Sequence, residues 1–100
     1  GSIRMTNHFN QLTEGEQERL VILAEEAGEV IQAISKILRH GKSSTHPKDP
    51  FGENNREGLQ RELADLLHAI NRCYVSGDIS KNAINIMLEQ PKMNIYFHHQ

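Results

Sequence analysis

Leu23-Ala24-Glu25-Glu26-Ala27-Gly28-Glu29-Val30-Ile31 is the stretch from which the rest of the chain can be read. Three carboxylates interrupt an otherwise apolar run with helical spacing. At about 100° per residue, Glu25, Glu26 and Glu29 fall within roughly a quarter turn. They border an apolar stripe of Leu20, Leu23, Ala27, Val30, Ile34 and Ile37. Like charges three and four residues apart weaken a helix. Such a helix either turns its acids to water or gives them a cation.

A second stretch bears on that choice. Leu59, Leu63, Leu66, Ile70 and Cys73 repeat at spacings of four and three, the pattern of another amphipathic helix. Glu62 and Asp65 stand at the same offsets from Leu63 as Glu26 and Glu29 from Ala27. In an antiparallel hairpin with facing stripes, equal offsets put both acid pairs on one flank. Four carboxylates in one place do not all stay ionised without a counter-charge. A hard dication with oxygen ligands, Mg²⁺ or Mn²⁺, is the natural one.

Helix signals on either side extend this hairpin. Thr13-Glu14-Gly15-Glu16 fits a capping box, which opens a first helix of about 26 residues ending near Arg39, with Gly41 just beyond. His40 to Asn54, rich in Pro, Gly and Ser, reads as a long loop of the kind that is functional or disordered rather than a mere link. Asn54 with Glu57 caps a second helix to about Ser76, and Gly77 stops it. Asp78 or Ser80 is expected to cap a third helix bearing Ala83, Ile84, Met87 and Leu88, and Pro91 to kink or split it. The tail from Lys92 is too apolar for a free end and is expected to fold back on the bundle or on a partner. No strand pattern appears. The expected fold class is all-α: a helical hairpin with C-terminal helices, completed into a bundle by oligomerisation as a homodimer or homotetramer.

Composition narrows the function classes. One hundred residues make one small domain, and a net charge of −2 offers no reason to expect a nucleic-acid polymer as partner. No apolar run approaches the ~20 residues of a membrane span, and no signal peptide is expected. Gly1-Ser2 reads as a cloning remnant with Met5 the natural start, which leaves residues 5–100 as the domain. A single cysteine, Cys73, excludes an intrachain disulfide framework, suits a reducing, cytoplasmic setting and reads as a core residue. Carboxylate-bridged di-iron bundles need Glu-x-x-His on two helices; Asp65-x-x-His68 is the nearest approach and occurs once. His8, His40, His46, His98 and His99 lack the cysteines and ordered partners of a zinc site.

Taken together, Glu25-Glu26-x-x-Glu29 and Glu62-x-x-Asp65 resemble the metal motif of the all-α nucleoside triphosphate pyrophosphohydrolases, the MazG-like superfamily. Glu18-Arg19-Leu20, Lys36-Ile37-Leu38-Arg39-His40-Gly41, Asn55-Arg56 and His98-His99-Gln100 extend the likeness to a small single-domain phage and bacterial branch. The resemblance implies cleavage of a (deoxy)nucleoside triphosphate between the α and β phosphates. It implies Glu26, Glu29, Glu62 and Asp65 as Mg²⁺ ligands, with Glu25 a further catalytic acid near the metal. Lys36 and Arg39 are then the foremost candidates to meet the phosphates, and Lys92 and Tyr96 weaker ones should the tail cover the site. Lys42, Lys48, Arg56 and Arg61 flank the acids as further cations. Two rival expectations remain. One is a dUTP- or dCTP-type hydrolase of the same architecture; the other is a non-catalytic helical dimerisation module whose acids face water.

Overall fold

The computed structural model describes residues 9–91. It is all-helical: α1 spans Glu14–His40, α2 Asn55–Ser76 and α3 Lys81–Glu89. The expected caps form, because each is built from residues within one turn. Thr13 Oγ1 accepts from the Glu16 N–H at 3.1 Å, and Glu16 returns a carboxylate to the Thr13 N–H at 2.8 Å. Asn54 and Glu57 make the same reciprocal pair at the start of α2. Gly41 (φ 85°) and Gly77 (φ 83°) end the two helices with positive φ, which a glycine adopts without steric cost.

Ser80, not Asp78, caps α3, accepting from the Ala83 N–H at 3.0 Å. Pro91 neither kinks nor splits that helix. It follows the end of the helix, with Gln90 in the extended conformation favoured before proline. The expectations for the tail beyond Pro91, including Lys92 and Tyr96, lie outside the described residues.

α1 and α2 pack as the expected hairpin and make the one extensive helix–helix contact among the described residues. Val30 and Ala33 from α1 meet a core completed by Ala69 and Cys73 from α2. The seam is turned slightly from the expected stripes. Ile34 and Leu63 remain 41% and 40% exposed, while Ala33 and the carboxylate-bearing Glu62 are buried. Small side chains at Ala33, Ala69 and Cys73 fill the seam, and the larger Ile34, Leu63 and Leu67 are left at or beyond its edge. Ile31, Leu38, Leu67, Val75, Met87 and Leu88 are also exposed, so much apolar surface stays uncovered in a single chain. No helix among the described residues is long and apolar enough to cross a membrane.

The long loop is pinned rather than loose. Thr45 and Asn54 form an antiparallel bridge. The Asn55 and Arg56 N–H groups donate to the Ser44 and Lys42 carbonyls at 2.9 and 3.0 Å. Asn55 Nδ2 reaches the Gly41 carbonyl at 3.0 Å. These bonds fold the loop back onto the start of α2, where it walls a cleft.

Gly28, in the middle of α1, has no neighbouring atom within 4 Å of the place a Cβ would take, apart from its own helix backbone. Gly28→Ala is therefore expected to stabilise the protein by roughly 0.5–1 kcal/mol through helix propensity, read as a higher urea midpoint. A lower midpoint would mean that this face needs the glycine for close approach to a second copy.

Candidate active site

Glu62 is the one charged residue among the described core residues. It sits in the α1–α2 seam because α2 presents it one turn before Leu66 and two turns before Ala69. Burial pushes its carboxyl above the ordinary value, and the neighbouring Glu29 carboxylate pushes it the same way. Carboxylate oxygens of Glu26, Glu62 and Asp65 all lie within 4.8 Å of one another. The hairpin thus gathers three of the four expected ligands at one level; the fourth, Glu29, is not in that group, although it is near enough to Glu62 to push its carboxyl up.

The donor set is chemically apt for a hard dication. It consists of carboxylate oxygens, drawn from both helices, one of them buried where negative charge is disfavoured. Glu26, Glu62 and Asp65 would hold the ion. Glu25 is not brought to them. It is exposed and lines a separate shallow groove with Glu14, Gln17, Glu18, Val21 and Ile22.

A cleft of about 420 Å³ opens beside the acids. Glu29 and Glu62 line its acidic side, Lys36, Arg39 and His40 come from the end of α1, and Thr45, His46, Asp49 and Glu53 come from the loop. Lys36 and Arg39 lie about two and nearly three turns along α1 from Glu29. Lys42, Lys48 and Arg56 do not line the cleft, whereas Arg61 does.

Arg61 and Glu53 carry more of the site than their sequence setting suggests. Arg61 Nε and Nη2 donate to the two Glu53 carboxylate oxygens at 2.9 and 3.1 Å. Its Nη1 reaches Glu62 at 3.3 Å and stands 4.0 Å from Asp65. The bond to Arg61 holds the Glu53 carboxyl below its ordinary value and raises the guanidinium in turn. Arg61 is adjacent to Glu62 in the chain, which was a signal; Glu53 depends on how the loop closes, and nothing local announces it.

With this geometry in hand, the sequence profile of the MazG nucleotide pyrophosphohydrolase domain matches residues 14–83. The chain belongs to that family. Searches among curated proteins and among solved structures return no significant match. The matched MazG segment takes in α1, the loop, α2 and the first turn of α3. It contains the acid cluster and the whole described cleft. MazG membership supports a hydrolase acting on nucleotides, and the all-α hairpin agrees with it.

Proposed function

We propose that this MazG domain is a Mg²⁺-dependent enzyme, with Mn²⁺ as a substitute, that converts a (deoxy)nucleoside triphosphate to the monophosphate and pyrophosphate. The observation that carries the reading is the convergence of Glu26, Glu62 and Asp65 beside a cleft whose lining includes Lys36 and Arg39. Glu26, Glu62 and Asp65, joined by Glu29, would hold the ion. The ion supplies neutralisation of phosphate charge, activation of water and a fixed in-line geometry. Lys36 and Arg39 take the phosphate oxygens that remain charged. Water adds to a phosphorus of the α–β linkage as the bridging P–O bond breaks, and a proton is released to solvent. Glu25 has no place in this ligand set, because its groove lies apart.

Housekeeping of the nucleotide pool in the cytoplasm is the purpose we attach to this activity. Assembly as a homodimer or homotetramer goes with it, supported by the exposed Ile31, Leu38, Leu67 and Val75. A dUTP- or dCTP-selective hydrolase is a narrower form of the same proposal.

A panel of ribo- and deoxynucleoside triphosphates, assayed with Mg²⁺ and with chelator, tests the proposal and ranks the bases. Mg²⁺-dependent turnover and a rise in melting temperature on adding Mg²⁺ are expected. No turnover on any of them, with intact helicity and no thermal response to Mg²⁺, would instead mark a dimerisation module.

A further inference from the structure

The bidentate Arg61–Glu53 pair has the form of a phosphate complex without the phosphate. A guanidinium binds carboxylate and phosphate through the same two-pronged geometry. Arg61 commits its Nε/Nη2 edge to Glu53 and leaves Nη1 to the acids at Glu62 and Asp65. The Glu53 carboxylate also lies near enough to Lys36 to feel its charge, and Glu53, Lys36 and Arg61 all line the cleft. The Glu53 carboxylate thus bonds Arg61 of α2 on the lining of a cleft to which α1 contributes Lys36, where an anionic substrate would meet both cations.

The surroundings favour an exchangeable contact. Glu53 belongs to the loop, and both partners are largely exposed, with side chains 42% and 55% accessible. Gly58 leaves the space this placement needs: a Cβ there would come within 3.1 Å of Glu53 Oε2.

We propose that Arg61 is a phosphate-binding residue of this site and that Glu53 holds its place in the substrate-free protein, to be displaced by a phosphate group of the substrate. The proposal rests on the pyrophosphohydrolase reading. It makes Glu53 an internal competitor and assigns Arg61 a role alongside Lys36 and Arg39. A Glu53 that merely orients Arg61 would have the opposite effect on affinity.

Inorganic pyrophosphate, titrated calorimetrically in Mg²⁺ into wild type, Glu53→Gln, Arg61→Gln and the double variant, separates these roles. Glu53→Gln is expected to tighten pyrophosphate binding roughly two- to fivefold, the scale on which exposed ion pairs act. Arg61→Gln is expected to weaken it at least as much and to erase the gain in the double variant. Gly58→Ala, which crowds the carboxylate without touching Arg61, should move affinity the same way as Glu53→Gln and serves if Arg61→Gln fails to fold. Weaker or unchanged binding by Glu53→Gln, or a gain that persists without Arg61, would overturn the proposal. Nucleotide turnover without the Glu53→Gln effect would remove this inference alone. Absence of both turnover and pyrophosphate binding in every variant would remove it together with the reading beneath it.

Discussion

Glu62→Ala is expected to cut Mg²⁺-dependent turnover by more than about 100-fold while leaving the helical hairpin intact. Loss of a residue that only supports a metal ligand commonly costs 10–100-fold in affinity or activity, and Glu62 is proposed as a ligand itself. Its position is also the least adaptable of the acids, because the α1–α2 seam buries it. Stability should move the other way. Burial and the nearby Glu29 disfavour the ionised carboxylate, so in chelator Glu62→Gln should melt above wild type. The raised carboxyl gives the sign for pH: its penalty is present above the folded-state pKa and fades as pH falls below it. Activity, circular dichroism and melting in chelator check all three points. Retention of most activity in Glu62→Ala would contradict the proposed ligand set. Simultaneous loss of helicity would make the acid structural.

Asp78→Ala is expected to cause the largest loss of stability of any single substitution away from the acid cluster. Asp78 sits in the turn between α2 and α3 and accepts two hydrogen bonds from Arg19 of α1, at 2.6 and 2.9 Å. Its side chain is only 3% exposed. Removing one member of such a pair strands the other beside buried Cys73, whose thiol is pushed up by burial and by Asp78. The melting temperature should fall further than with Thr13→Ala, the loss of a cap worth about 1 kcal/mol.

The pH dependence follows from the same contact. Hydrogen bonding to Arg19 holds the Asp78 carboxyl below its ordinary value. A depressed carboxylate stabilises the fold above its unfolded-state pKa, and that contribution is lost as pH falls through the folded-state value. Asp78→Asn should therefore flatten the acid limb of the stability curve as well as lower it. An acid limb identical to that of wild type would show that the pair contributes nothing.

What could be read from the sequence follows the range of each interaction. Both capping boxes and both glycine stops were legible, since Thr13–Glu16 and Asn54–Glu57 act within one turn. The matched acid offsets pointed to Glu26, Glu29, Glu62 and Asp65 on one flank, because a hairpin converts equal offsets into proximity; oxygens of Glu26, Glu62 and Asp65 lie together, and Glu29 is not of that group. The rotation of the seam was not legible. α2 carries apolar residues at Leu63 and Leu67 as well as at Leu66, Ala69 and Cys73, and periodicity alone does not say which set turns inward. Only packing against the small residues of α1 decides that. It also moves Glu62 from the flank into the seam and leaves Glu25 in another groove. Arg19 and Asp78 are 59 positions apart, and Glu53 meets Arg61 only after the loop has closed, so neither pair had a local signature.

The most direct test of the central claim is phosphorus NMR of the products formed from one turned-over triphosphate, with Mg²⁺ and with chelator. Monophosphate and pyrophosphate in equal amounts, formed with Mg²⁺ and absent with chelator, are the predicted result. Diphosphate with orthophosphate would mean cleavage at the β–γ linkage and would contradict the account.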